Sequence, residues 1–158
     1  MKIIFSASPA NRAAAYALRQ AVFVEERGIS ADVEFDVKDT DQREYAVLYL
    51  QPDLPITTLR LEPQADHVMR FGRVCTRKAY RGHGWGRQLL TAAEEWATQR
   101  GFTHGEIHGE LTAQRFYELC GYRVTAGPYD EDGAPVVIMH KQLSVSYTHL
   151  TLPTTPYV

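Results

Sequence analysis

The sequence predicts an α/β domain in which a mixed, mostly antiparallel central sheet is flanked by helices. Three observations carry that prediction. Short β-type runs alternate with amphipathic helical patterns over residues 1–143, in the order β-α-(α)-β-β-β-α-β-α-β-β. Three of those β-type runs follow one another across short turns, which makes an antiparallel meander. The third then passes through glycines into a helix and on to another strand, the crossover that a parallel pair requires. At 158 residues and 44% apolar content, the chain makes one domain with ample material for a core.

The elements follow in order. Lys2 to Ala7 reads as a first strand. Ser8 caps a helix with Pro9 at its first position, and an apolar stripe of Ala14, Leu18, Ala21 and Val22 carries it to about Arg27, where Gly28 stops it. Residues 25 to 44 hold eight acidic and three basic side chains and read as a hydrated loop face. Tyr45 to Leu50 and Thr57 to Leu61 are strands joined across a proline-marked turn, and Val68 to Thr76 completes the meander. A helix over Arg87 to Arg100 buries Leu89, Ala93, Trp96 and Ala97 and ends at Gly101. Phe102 to Gly109 is a strand. Thr112 to Cys120 is a short helix with Ala113, Phe116, Tyr117 and Cys120 on one face. Tyr122 to Thr125 and Pro135 to Gln142 close the fold as a hairpin.

Composition narrows the function. A formal net charge of −2 argues against a general nucleic-acid binder. No run of about 18 apolar residues is present, so no membrane helix is expected, and Met1 to Phe5 is too short for a signal peptide's apolar core. Two cysteines, Cys75 and Cys120, both on apolar faces, fit a reducing compartment, and a cytoplasmic location is expected. Residues 145 to 155, threonine-rich and without charge apart from a histidine, read as adapter-derived sequence or a weakly ordered tail. Residues 144–158 are therefore set apart from the domain at 1–143, and no function is expected there.

The most informative stretch is residues 70 to 87. Six of its eighteen side chains are Arg or Lys and none is acidic. A strand pattern is broken by Gly82, Gly84 and Gly86, and a helix begins at once. Such a turn aims backbone N–H groups at one point with the helix dipole behind them, a cradle for phosphate. The G-x-G-x-G spacing differs from the dinucleotide G-x-G-x-x-G, and Gly86-Arg87-Gln88 lacks the Ser or Thr of a P-loop.

Arg81, Gly84 and Gly86 do fill the fixed positions of R/Q-x-x-G-x-G/A, the signature of the GCN5-related N-acetyltransferases, and the chain resembles that family over residues 1 to 143. Val22-Phe-Val-Glu-Glu-Arg-Gly28 and the acidic Asp36 to Asp41 segment are similar to the YjcF/ElaA-like subgroup. The run from Ala113 through Phe116-Tyr117-Glu118 to Gly121-Tyr122 resembles the family's A-x-x-F-Y-E-K-x-G-F/Y.

The resemblance implies a GNAT-like acyl-CoA N-acyltransferase fold and transfer of an acetyl group from acetyl-CoA to a primary amine by direct attack. A non-catalytic acyl-CoA sensor is the alternative reading. It implies that Arg81, Gly82, His83, Gly84, Trp85, Gly86 and Arg87 hold the pyrophosphate. Val74, Cys75 and Thr76 would line the pantetheine arm on a bulged, splayed strand, with Phe116 beside them. Glu110 stands where the family usually has Asn or Gln, which makes the site more acidic. Tyr117, a phenol still protonated at neutral pH with an ordinary pKa near ~10, is the candidate acid for the departing thiolate. His108 is a candidate base.

His104, Glu106, His108 and Glu110 share one strand face, read as solvated rather than metal-binding; no metal is expected. Cys75 has no recognisable base and reads as structural. The acceptor is an amine on a small molecule or peptide, for which the acidic 25–44 segment is a candidate wall. No nucleic acid or membrane partner is expected, and oligomeric state stays open, a homodimer included.

Overall fold

The computed structural model describes residues 1–144. Residues 145–158, all but Ser144 of the tail set apart above, lie outside the described residues. The elements are β1 (Lys2–Ser6), α1 (Pro9–Arg19), α2 (Ala31–Glu34), β2 (Glu44–Leu50), β3 (Leu54–Pro63), β4 (Val68–Thr76), α3 (Trp85–Thr98), β5 (His104–Glu110), α4 (Gln114–Leu119), β6 (Arg123–Glu131) and β7 (Ala134–Gln142). Seven strands form one sheet in the order β1-β2-β3-β4-β5-β7-β6. Every neighbour is antiparallel except β4 and β5, as the α3 crossover between them requires.

Helices cover both faces, and the strands alternate accordingly. On β2, Tyr45, Val47 and Tyr49 face α1 with Ala15, Leu18 and Val22. Ala46 and Leu48 face the other way, into a core with Leu89, Leu90, Ala93 and Ala97 of α3. Ser8 caps α1 by accepting from the Asn11 amide, with Pro9 in the first turn as its sequence implies. The buried Asn11 side chain donates to the carbonyls of Ile4, Ser6 and Tyr45 and accepts from the Tyr49 hydroxyl, which ties α1 to β1 and β2.

Several elements differ from the sequence reading. The first helix does not stay α-helical to Arg27; Gln20–Glu26 widens into π-helix before Gly28, at φ 74°, ends it. Such turns recur at functional sites, and this one delivers Glu26 and Arg27 to the cavities described below. β6 runs on to Glu131 instead of stopping at Thr125. It carries Gly127-Pro128, which β6 tolerates as an edge strand, where a residue without N–H can face away from the ladder.

The acidic segment is the larger correction. Five of its eight acids, Glu25, Glu26, Asp32, Asp41 and Glu44, are exposed as read, but Asp36, Glu34 and Asp39 turn inward, the side chains of the last two only 3% and 5% exposed. Arg19, itself buried on α1, donates Nε to Glu34 at 2.9 Å and Nη1 to Asp39 at 2.8 Å. Arg60 on β3 reaches Asp36 at 2.9 Å and Asp39 at 3.1 Å. Burial opposes ionisation of both acids. At Asp39 the bonds from Arg19 and Tyr45 outweigh it and hold the carboxyl well below the usual range, whereas at Glu34 burial prevails and pushes it up.

Removing the shared cation would take the shortest ion pair from two buried carboxylates, leaving Asp39 to Arg60 at 3.1 Å and Glu34 to Arg73 at 3.3 Å. Arg19→Met is expected to lower unfolding free energy by about 3–5 kcal/mol, measured as a shift in the urea midpoint at unchanged slope.

Candidate active site

The turn between β4 and α3 is built from backbone. Gly82 and Gly84 have φ of 81° and 80°, a left-handed conformation that costs side-chain-bearing residues but not glycine. A side chain at either would meet nothing within 4 Å, so the concave side of the turn is open. Gly84 is the N-cap of α3, and no side chain caps that helix. Its first amides are therefore directed outward, free to bind an anion. Gly86 has no positive φ, and a Cβ there would stand in ordinary contact, 3.5 Å from Thr76 Oγ1 and 3.7 Å from Phe116, so its backbone packs against those two side chains.

Beside the turn lies a cavity of about 570 Å³. Of the residues assigned to coenzyme A, Val74, Cys75, Thr76, Arg81, Gly82, Gly84, Trp85, Gly86, Arg87 and Phe116 line it. His83 and Glu110 do not. Sequence reasoning did not assign Val22, Phe23, Glu26 and Arg27 to coenzyme A, and they also line it; the signal was the Val22–Gly28 run itself.

A second cavity, of about 540 Å³, is bordered by Arg70 to Val74 of β4. Phe23, Arg27, Val74, Ala113 and Tyr117 border both, so the two meet there. The junction has a backbone cause. β4 pairs with β5 only from Val68 to Arg70, against His104 to Glu106. Then β4 bulges: Thr58 faces Cys75 and Arg60 faces Gly72, so Arg73 and Val74 together oppose Leu59. Arg73 takes φ 51° at the bulge. β5 meanwhile continues along β7 and leaves β4.

Tyr117 stands at this junction, 7% exposed. Its ring lies against Gly109 of β5, where a Cβ would be 3.2 Å from two ring carbons. Its hydroxyl has no hydrogen-bond partner among the described residues, and burial pushes its pKa up. Cys75 is buried and its thiol is pushed up to about 12, which leaves no thiolate to act as nucleophile.

The strand face read as solvated is occupied instead. Glu106 accepts from Arg70 at 2.6 Å and lies 2.9 Å from His140 Nε2. His108 borders only the second cavity, with Nδ1 3.3 Å from Glu131 and Nε2 3.4 Å from Glu106. Among the described residues no group of His, Cys, Asp and Glu has metal-site geometry.

Two of the three arginines at the cofactor-side cavity, Arg27 and Arg81, are engaged by carboxylates, and Arg87 has no such partner among the described residues. Arg81 holds Glu26 through two bonds of 2.6 and 2.7 Å and donates Nε to the Thr76 carbonyl. Arg27 holds Glu110 through bonds of 2.5 and 2.7 Å. The guanidinium in each case keeps the carboxyl below its usual range.

This fold, with an open glycine turn beside a splayed parallel pair, defines an acyltransferase class. The acetyltransferase (GNAT) domain family model matches residues 41–124. YyaT of Bacillus subtilis is 33% identical over 132 residues, 83% of this chain and 88% of that protein. The chain belongs to the GNAT family and is an acyl-CoA-dependent N-acyltransferase, as the resemblance implied. A crystal structure of a candidate N-acetyltransferase from Lactobacillus plantarum is 99% identical, with a TM-score of 0.89 over 90% of this chain and 98% of that one. Escherichia coli ElaA shares the fold at 23% identity and a TM-score of 0.76, over 90% of this chain and all of that one. Among the described residues no helix is long and apolar enough to cross a membrane.

Because Glu26 competes with any anion for Arg81, the two substitutions have opposite signs. Arg81→Ala is expected to weaken coenzyme A binding by roughly tenfold, and Glu26→Gln to tighten it, both read by titration calorimetry.

Proposed function

We propose that residues 1–143 form a transferase domain that moves an acetyl group from acetyl-coenzyme A to a primary amine, by direct attack within a ternary complex. The observation that carries this reading is the meeting of two cavities at Val74 and Tyr117. One has the anion-binding turn at its end; the other is open to an acceptor. The thioester supplies an activated acyl carbon and a thiolate leaving group.

The chain's own groups then have assigned tasks. Amides of the Gly82 to Arg87 turn hold the diphosphate, with Arg81 and Arg87 adding charge. A backbone N–H at the bulged Val74–Cys75 end of β4 polarises the thioester carbonyl. Tyr117, its phenol kept protonated by burial, gives a proton to the leaving sulfur. His108, held between Glu106 and Glu131, takes the proton of the incoming ammonium directly or through water. The acceptor is a small-molecule or peptide amine. Free Cys75 and Cys120 accord with a cytoplasmic setting.

Tyr117→Phe keeps the ring against Gly109 and removes only the acid. It is expected to lower kcat by about 100-fold or more in a thiol-release assay over an amine panel, with coenzyme A affinity unchanged by calorimetry. Undiminished kcat would remove Tyr117 from the chemistry, and coenzyme A binding with no amine turned over would remove the transferase reading.

A further inference from the structure

The second cavity contains a carboxylate that the chemistry above does not use. Glu62 on β3 is 2% exposed, and it borders that cavity. Its Oε2 accepts from Arg60 Nε at 2.8 Å. Its Oε1 is, among the described residues, the buried side-chain oxygen with no hydrogen bond. Leaving a buried acceptor unmet is costly, so such an atom calls for a partner.

The fold makes deliberate room for this group. A Cβ on Gly72 of β4 would lie 2.1 Å from Glu62 Oε2. Gly72 is not among the residues with positive φ. Torsional freedom therefore does not explain the glycine; the space taken by the carboxylate does. Gly72 is two residues before Val74, at the splay where the acyl carbonyl is assigned.

What faces Oε1 identifies the chemistry it takes. Lys38 Nζ is 3.4 Å away and Arg70 Nη1 is 3.9 Å away. The Lys38 side chain is 42% exposed. The surrounding cations Arg19, Arg60, Arg70 and Arg73 are at most 28% exposed and each is bonded to another carboxylate. Those four and Lys38 match the ion-paired carboxylates Glu34, Asp36, Asp39, Glu62 and Glu106 in number, while Arg27 offsets Glu110, and Glu131 and Asp132 add further negative charge to the cavity wall. With Lys38 swung into solvent, those five carboxylates would face four cations, and Glu62 Oε1 would be left with Arg70 alone, at 3.9 Å. A group that replaces Lys38 must bring a positive charge and an N–H donor, as a primary ammonium does.

We infer that Glu62 is a specificity-determining residue that anchors a second ammonium group of the acceptor, in the place Lys38 covers when no acceptor is bound. The substrate class is therefore a diamine, in which one nitrogen is acetylated and the other is held by Glu62 Oε1. This assignment rests on the transferase reading above.

The test compares α,ω-diamines of three to six carbons with amino alcohols of equal length, as acceptors for the intact chain with acetyl-coenzyme A. For the best length, kcat/KM is expected to favour the diamine by about tenfold or more, the worth of a charge-assisted hydrogen bond. Glu62→Gln is expected to bring that ratio close to one, chiefly through KM, with coenzyme A affinity retained. Lys38→Met, which removes the resident competitor, is expected to lower the diamine KM by roughly threefold. A merely structural ion pair would give both variants the same sign, so that opposition decides. Equal use of diamine and amino alcohol by the parent overturns the Glu62 assignment and leaves the transferase intact; so does a diamine KM that rises in Lys38→Met. Should Glu62→Gln fail to fold, the parent ratio and Lys38→Met still judge it. Coenzyme A binding without turnover of any amine overturns the reading beneath it.

Discussion

The bulge in β4 is the constraint on which both cavities depend. Arg73 sits there with φ 51°, a backbone state that costs a side-chain-bearing residue about 1–2 kcal/mol. Its guanidinium offsets that cost by donating to the carbonyls of Val33 and Glu34 and to the Asp36 carboxylate, at 3.2 to 3.3 Å. The bulge places Val74 between the two cavities and lets β5 depart toward β7. The α2 segment is therefore a clamp on the strand that carries the site, even though it lies far from the glycine turn in sequence.

The clamp must itself be held, and this explains the inward turn of so many acids. Asp36 reaches Arg60 of β3 and Arg73 of β4, while Asp39 and Glu34 reach Arg19 of α1. Tyr45 of β2 adds a hydrogen bond to Asp39 at 2.6 Å. Each carboxylate ties the 31–39 segment to the sheet or to α1. A hydrophobic plug of equal volume could match the stability, but it could not fix the direction of the Arg73 side chain. The charges specify geometry more than they add stability.

Much of this was legible in the sequence, and the rest was hidden for identifiable reasons. Val68–Thr76 reads correctly end to end because its apolar residues alternate and turns bound it. The glycine turn reads correctly because glycine spacing reports backbone geometry directly. Within residues 25–44, Glu34, Asp36 and Asp39 mislead because charge runs are usually solvated, and the partners that bury them, Arg19, Arg60 and Arg73, come from three other elements. Gly72 carries no signal at all, since its reason is the end of a side chain ten residues earlier on a neighbouring strand. His108 was legible as a titratable group near the site, but its separation from the cofactor-side cavity depends on where β5 leaves β4.

That departure point has its own lock. Arg70 and Glu106 are the last paired residues of β4 and β5, and they are joined at 2.6 Å. His140 of β7, opposite Glu106 in register, holds the other carboxylate oxygen at 2.9 Å. One glutamate thus ties three strands where two of them begin to diverge. Beyond it, β4 carries Val74 and leads to the glycine turn, while β5 carries Gly109 and supports the Tyr117 ring. How far Val74 stands from the Tyr117 ring depends on where those strands part, and that point is fixed at Glu106. A strand face that looks like a row of spare titratable groups is in this fold the hinge pin of the site, which is why its glutamate is committed to arginine and histidine partners.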